Sequence, residues 1–118
     1  IETGGHHDIS RIDPRVKRVM DIKCPGSKME KRNRWENIEM LNAHDEVKFV
    51  IADRVDYEWA KHILLQYQLG KRCPVLMSPV FGTLENRTLA EWILRDRMQV
   101  QFQLQIHKYI WDPKTRGV

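Results

Sequence analysis

The sequence predicts an α/β fold built on a parallel sheet, and two observations support this prediction. Short runs rich in β-branched residues alternate with longer segments whose apolar residues recur about every 3.6 positions. These runs follow one another at intervals close to the roughly 30 residues that one βαβ unit needs. Strands that alternate with helices require crossover connections, and therefore parallel strands.

Five strands are predicted. They are short and mostly apolar, and glycine, proline or charged residues end several of them. In chain order they are IETGG (1–5), RVMDIKCP (18–25), DEVKFVIAD (45–53), RCPVLMSPV (72–80) and QFQLQIHKYIW (101–111). The last run alternates strictly, with Phe102, Leu104 and Ile106 on one face and glutamines followed by His107 on the other.

Three helices are predicted between the strands, with an exposed loop at 28–34. Asp53 is suited to cap a helix over 54–71, for which Gly70 supplies the stop. Thr88 and Glu91 have the spacing of a capping box, which predicts a helix over 88–97. A shorter helix is expected over 34–43, RWENIEMLNA.

The alternation of the last strand bears on the type of sheet. In a doubly wound sheet both faces of an interior strand meet helices, whereas in a barrel one face meets helices and the other the lumen. We therefore expect a partial barrel of parallel strands with helices on one face, with Phe102, Leu104 and Ile106 under the helices and the glutamines and His107 lining the lumen. An edge strand whose polar face lies in water is the open alternative.

Polar residues recur at the carboxyl ends of the predicted strands, where α/β folds place their ligand sites. They include Asp21 and Lys23, which can pair with each other. The full set is Glu2, Asp21, Lys23, Ser78, Gln105 and His107. Among them there is no nucleophile–base pair and no glycine loop suited to phosphate, so the residues alone do not specify a reaction.

Composition narrows the class of protein. The 118 residues suffice for one domain, and the net charge of +4 is scattered instead of gathered into a nucleic-acid footprint. No apolar stretch approaches the roughly 20 residues of a membrane span. Cys24 and Cys73 fit no metal-ligand spacing, which favours buried thiols in a reducing compartment. We expect a cytoplasmic protein that binds neither nucleic acid nor a membrane.

Six stretches together carry a resemblance to a known family. They are IETGG, DIKCPGS, DEVKFVIADRVDYEWA, LMSPVFG, LAEWIL and VQFQLQIHKYIW. In this order and at these spacings they resemble the carboxyl-terminal half of the 7-carboxy-7-deazaguanine synthases, a family of radical S-adenosylmethionine enzymes. The resemblance implies a partial βα barrel with a [4Fe–4S] cluster, S-adenosylmethionine and Mg²⁺ at the carboxyl ends of its strands. It also implies a carbon–nitrogen lyase that turns 6-carboxytetrahydropterin into 7-carboxy-7-deazaguanine, a precursor of queuosine.

The resemblance also implies site residues. Glu2 would lie at the ribose hydroxyls of S-adenosylmethionine, and Ser78 would approach its adenosine moiety. Lys23 and Ser27 would meet the polar groups of the cofactor.

The last strand would supply the contacts to the substrate. Gln105 and His107 would face the pterin, with the imidazole reaching its carboxylate or ring heteroatoms. We therefore expect Lys23 and His107 to point into one cleft.

The family's three-cysteine cluster motif is not among these residues, and Cys24 and Cys73 cannot replace it because such clusters use closely spaced cysteines. Residues 1–118 are thus expected to form the carboxyl-terminal half of a barrel domain, a fragment with no catalytic residue or metal ligand of its own and no activity alone. Such a fragment is expected to form a homodimer. The alternatives are a radical-activating enzyme that acts on a protein partner and a non-catalytic α/β domain that binds a small anion.

Overall fold

The computed structural model describes residues 1–104, which form a five-stranded parallel sheet and two α-helices. The strands are β1 (Glu2–Gly4), β2 (Val19–Ile22), β3 (Glu46–Ile51), β4 (Val75–Pro79) and β5 (Gln101–Phe102). The helices are α1 (Arg54–Gln66) and α2 (Asn86–Arg95). Short 3₁₀ segments lie at Ile9–Arg11, Pro25–Ser27, Glu30–Arg32, Trp35–Met40 and Leu69–Lys71.

The order of the strands in the sheet is their order in the chain, and every neighbouring pair is parallel. Right-handed crossovers between successive strands of this order all lie on the same side of the sheet. The predicted α/β fold with a parallel sheet is confirmed. Within residues 1–104, β1 and β5 are the two edges, so these strands form an open sheet.

The core lies on the helix-covered face of the sheet. Met20 of β2 is in register with Val47 of β3 and Val75 of β4, and all three are buried. One residue further along, the side chains point to the opposite face, which we call the open face. There Asp21 and Lys48 are adjacent in register and only partly buried.

The predicted strands are present but shorter than expected. β5 covers Gln101–Phe102, and the part of the predicted strand 101–111 beyond residue 104 lies outside the described residues. Phe102 is in register with the buried Met77, so it points to the helix-covered face as predicted. Phe102 and Leu104 are nevertheless each 37% exposed, so within the described residues the helices do not fully bury them. Cys24 and Cys73 are buried free thiols, as expected. Burial raises the pKa of both, that of Cys73 to about 11. In this part of the chain, neither helix combines the length and apolar character needed to cross a bilayer.

A buried ion pair joins the segments that enter β2 and β3. The guanidinium of Arg18 lies 2.8 Å from the carboxylate of Asp45, and both side chains are almost fully buried. The backbone N–H groups of Arg18 and Asn42 also donate to this carboxylate, at 2.9 and 2.7 Å. Because its oxygens are satisfied in this way, Asp45 stays charged inside the protein and fixes the entry of both strands.

Candidate functional site

A cleft of about 450 Å³ lies at the carboxyl ends of β2, β3 and β4. We call it the carboxyl-end cleft. Asp21, Lys23 and Ser27 line it from β2 and the turn that follows, and Val50 lines it from β3. Asp56, at the start of α1, lines its other side. The structure therefore brings two of the expected site residues, Lys23 and Ser27, into one cleft.

Lys23 is paired within the cleft. Its ammonium lies 2.9 Å from the carboxylate of Asp21, and both side chains are about one-third exposed. The pairing that the sequence suggested for Asp21 is thus present. Because Lys23 is already paired with Asp21, an anionic ligand group has to compete with the Asp21 carboxylate for the Lys23 ammonium.

The backbone of Lys23 is held by a side chain that sequence reasoning did not identify. The Oδ1 atom of Asn33 accepts a hydrogen bond from the Lys23 N–H at 2.9 Å, and its Nδ2 donates to the Lys23 carbonyl at 2.9 Å. A primary amide offers the same donor and acceptor as a peptide group. Asn33 therefore takes the place of a neighbouring strand where β1 has ended.

Asp56 is a second residue that sequence reasoning missed. Its buried carboxylate accepts hydrogen bonds from Gly26 N at 2.7 Å and from Ala52 N at 2.9 Å. Its own N–H donates to Asp53, which caps α1 as predicted. The available signal was an acidic residue three positions after a capping aspartate. Asp56 ties the turn after β2 to the start of α1.

Ser27 has its hydroxyl engaged in the local turn. The hydroxyl donates to the carbonyl of Cys24 at 2.7 Å and accepts a hydrogen bond from Met29 N at 3.2 Å. The side chain is exposed at the mouth of the carboxyl-end cleft. In this arrangement Ser27 shapes the turn, and its remaining hydrogen-bonding capacity faces solvent.

Ser78 differs from the other site residues because its hydroxyl has no hydrogen-bond partner within the described part of the chain. The residue is fully buried, and its Oγ is the orphaned polar atom of the site. It is in register with Val50, which lines the carboxyl-end cleft. A buried hydroxyl without a partner costs free energy. Ser78 is therefore suited to form a hydrogen bond with a bound ligand.

Glu2 lies away from the position expected for it. It is in register with Val19, the first residue of β2, so it lies at the amino-terminal row of the sheet and the expectation of a carboxyl-end position is wrong. It instead lines a second cleft of about 220 Å³ on the open face, together with Asp21, Lys23 and Lys48. We call this the open-face cleft. Asp21 and Lys23 line both clefts.

Two expected substrate residues, Gln105 and His107, lie outside the described residues, so the convergence of His107 with Lys23 stays a prediction. Sequence reasoning also missed His6, whose ring lies over Gly4: a Cβ on that glycine would be 2.6 Å from the imidazole. Desolvation lowers the pKa of His6, and the nearby charges of His7, Lys23 and Arg32 lower it further. This histidine is therefore biased towards its neutral form.

The described residues do not fit an iron–sulfur cluster. From residue 1 to residue 104 there is no group of three or more His, Cys, Asp and Glu side chains that could hold a metal ion. Cys24 follows β2 and Cys73 precedes β4, so they lie at opposite ends of strands that β3 separates. Burial raises the pKa of both thiols, whereas cluster ligation needs thiolates. No step that requires a cluster can be assigned to these residues.

The fold and the cleft define the general class: an α/β protein with a cleft at the carboxyl edge of a parallel sheet, where such folds bind small molecules. Comparison with known proteins is more specific. Over its full length the chain is 46% identical to a 7-carboxy-7-deazaguanine synthase of Chlorobaculum tepidum, of which it covers 55%. It is 40% identical to that of Koribacter versatilis, again over its full length, and covers 58% of that relative.

A third relative is the 7-carboxy-7-deazaguanine synthase of Clostridium acetobutylicum, 37% identical over 85% of this chain and 46% of the relative. The resemblance to the 7-carboxy-7-deazaguanine synthases is thereby confirmed. The chain spans about half the length of the curated relatives it matches, which agrees with a carboxyl-terminal half. No protein-family model matches the chain, and no solved structure matches it significantly.

Proposed function

We propose that the chain is the carboxyl-terminal, substrate- and cofactor-binding half of a radical S-adenosylmethionine enzyme. The whole enzyme converts 6-carboxytetrahydropterin into 7-carboxy-7-deazaguanine, as a carbon–nitrogen lyase on the route to queuosine. The observation that carries this proposal is the identity of 46% and 40% to two relatives of that name over the full length of the chain. In the proposal, residues 1–118 are half of one βα barrel domain in a cytoplasmic, homodimeric enzyme.

The carboxyl-end cleft is suited to the cofactor in this proposal. The unpartnered hydroxyl of Ser78 and the ammonium of Lys23 offer hydrogen-bond donors near the carboxyl ends of the strands. Glu2, in the adjoining open-face cleft, offers a carboxylate, which can accept two hydrogen bonds from the hydroxyls of a ribose. When bound with the cluster, S-adenosylmethionine supplies the radical chemistry of this enzyme class.

The cluster and Mg²⁺ are proposed only for the whole enzyme, because the described residues offer no site for a metal. The cluster ligands would come from outside this chain. What the chain's own residues contribute is binding and orientation: Asn33 and Asp56 fix the backbone around Lys23 and Ser27, and Asp21 orients the ammonium of Lys23. Gln105 and His107 are proposed to bind the pterin.

Anaerobic reconstitution tests the proposed function. The full-length protein is expected to carry a [4Fe–4S] cluster and, with S-adenosylmethionine and a reductant, to form 7-carboxy-7-deazaguanine from 6-carboxytetrahydropterin. The 118-residue chain alone should yield no product. A full-length protein that holds no cluster, or that holds one and makes no 7-carboxy-7-deazaguanine, would contradict the proposal.

A further inference from the structure

The charged residues of the open face are mostly paired with one another. Lys17 lies 2.7 Å from the carboxylate of Glu46, and Lys23 lies 2.9 Å from that of Asp21. Lys48 is different, because its ammonium has no ion pair or hydrogen bond within residues 1–104. Among the described residues of the open-face cleft, Lys48 is therefore the cation that a ligand can bind without displacing a partner.

The position of Lys48 makes this lack of a partner notable. Lys48 is in the middle of β3, the central strand, between Asp21 on β2 and Leu76 on β4. Its side chain is partly buried and lines the open-face cleft. A lysine on an outer loop is surrounded by water, whereas a partly buried lysine in a central strand has less water around it, so an anionic ligand group can replace more of its surroundings.

The nearest carboxylate does not fill that role. Asp21 is beside Lys48 in register, but its carboxylate is engaged with Lys23 at 2.9 Å. Glu2, also in the open-face cleft, lies two strands over and one row of side chains towards the amino-terminal end, so its Cα is about 12 Å from that of Lys48 at the spacing of strands and residues in a sheet. Among the described residues, the cleft thus presents a lysine and a glutamate, Lys48 and Glu2, whose side chains have no ion-pair partner.

We propose that Lys48 binds a carboxylate group of a ligand in the open-face cleft. The inference rests on the proposed function, in which 6-carboxytetrahydropterin and S-adenosylmethionine each carry a carboxylate. The ammonium supplies a charge-assisted hydrogen bond to that group without breaking the ion pair of Asp21 and Lys23.

Calorimetric titration of the reconstituted full-length protein tests the role of Lys48. The probes are S-adenosylmethionine and 6-carboxypterin, each matched with an analogue that lacks the carboxylate: 5′-methylthioadenosine and unsubstituted pterin. K48M is expected to weaken one carboxylate-bearing probe roughly 10- to 100-fold, the usual effect of losing a hydrogen bond to a charged group. Its affinity for both analogues should equal that of the wild type, and K48R should recover part of the loss.

Comparing the two carboxylate-bearing probes shows whether Lys48 binds the carboxylate of S-adenosylmethionine or that of the pterin. K71A, a change of an exposed lysine in the segment Leu69–Lys71, is the matched control and should bind all four probes like the wild type. K48Q serves if the thermal unfolding of K48M shows that it is not folded. Unchanged binding of both carboxylate probes would overturn the inference, as would an equal loss for probes and analogues. A wild type that binds neither carboxylate probe would overturn the proposed function itself.

Discussion

At the scale of single residues, the site depends on side chains that bind backbone N–H and carbonyl groups, as a neighbouring segment of backbone would. Asn33 donates to and accepts from the same residue, Lys23, with both distances at 2.9 Å, and its Nδ2 also donates to the carbonyl of Glu30 at 2.9 Å. Asp56 accepts from two backbone N–H groups. Asn33 belongs to no motif, and the spacing of Asp53 and Asp56 marks a helix start without showing which backbone groups Asp56 binds. Their roles come from where the loops carry them, which a sequence pattern does not encode.

Replacing Asn33 should loosen the backbone of Lys23. N33A leaves the N–H and the carbonyl of Lys23 without protein partners, and partly buried groups of this kind cost roughly 1–3 kcal/mol. Hydrogen exchange should show faster exchange of the Lys23 amide, and urea unfolding should show the loss of stability. N42A is the matched control, because the Asn42 side chain donates one exposed hydrogen bond, to Pro14. Equal effects of the two changes would contradict the role given to Asn33.

Gly26 should not tolerate a side chain. A Cβ at this position would lie 2.6 Å from Oδ2 of Asp56 and 3.1 Å from its Oδ1, and Asp56 cannot move without losing its bond to Gly26 N. We expect G26A to lower the free energy of unfolding by roughly 1–3 kcal/mol, as overpacking does. G70A is the control, since a Cβ on Gly70 meets nothing within 4 Å. If chemical unfolding gives the same stability for both variants, the Asp56 carboxylate can move away from a side chain at position 26, and the prediction is wrong.

At the scale of elements, hydrophobic periodicity predicted which segments are strands or helices, and local backbone geometry decided where they end. Helix α1 was expected to continue to Gly70 but ends at Gln66, because Gln68 adopts a left-handed conformation with φ of 51°. Helix α2 begins at Asn86 after Glu85, without a side-chain cap, so the capping box predicted at Thr88 is wrong.

The segment predicted as a helix over 34–43 is a six-residue 3₁₀ helix, Trp35–Met40. The buried side chain of Asn37 is bonded to the loop after β1: its Oδ1 accepts from Ile9 N, and its Nδ2 donates to the carbonyls of Gly5 and His7. The loop 28–34 likewise contains a 3₁₀ turn, Glu30–Arg32. Contacts over some 30 residues of chain shape these elements, and no local pattern reveals them.

The ion pair that joins the entries of β2 and β3 should make stability depend on pH. Burial alone would raise the pKa of Asp45, but the hydrogen bonds from Arg18 and from the N–H groups of Asn42 and Arg18 outweigh it and lower the pKa below its usual value. The folded pKa is thus below the unfolded value of about 3.9, so the pair stabilises the protein above that pH. Stability should fall as the pH drops below about 4 towards the folded pKa.

Urea unfolding between pH 3 and 7 checks this dependence. D45N should remove part of the acid-dependent loss and lower stability at neutral pH by about 3–5 kcal/mol, because Arg18 is left buried without its partner. D13N is the control, since the pair of Asp13 with Arg15 is exposed and screened by water. A D45N variant as stable as D13N at pH 7 would show that the pair does not contribute.

At the scale of the whole molecule, the described sheet has an edge open to pairing. Val19 N donates to the carbonyl of Ile1, and Gly5 N donates to that of Asp21, so alternate residues of the first strand bond β2. The backbone N–H and carbonyl of Glu2 point away from β2 by the same alternation. An exposed strand edge of this kind pairs with another chain.

We therefore expect the 118-residue chain by itself to self-associate, most simply as a twofold dimer. Sedimentation velocity at several concentrations should show a dimer whose proportion rises with concentration, and hydrogen exchange should show protection at Glu2 in the dimer. A protein that stays monomeric at all concentrations while its first strand is protected from exchange would contradict this prediction, because the edge would then be satisfied without a second chain.

The sequential order of the strands has a consequence for how the chain folds. Each strand pairs with the next one along the chain, at separations from about 17 residues between Glu2 and Val19 to about 28 between Val47 and Val75. Closing loops of this size costs little more for one pair than for another, since the entropic cost grows only with the logarithm of length. Folding can therefore begin at β3, α1 and β4, the most buried unit, and extend by adding one neighbour at a time on either side. We expect the strands at the two edges, β1 and β5, to join last and to be the first to open under mild denaturant.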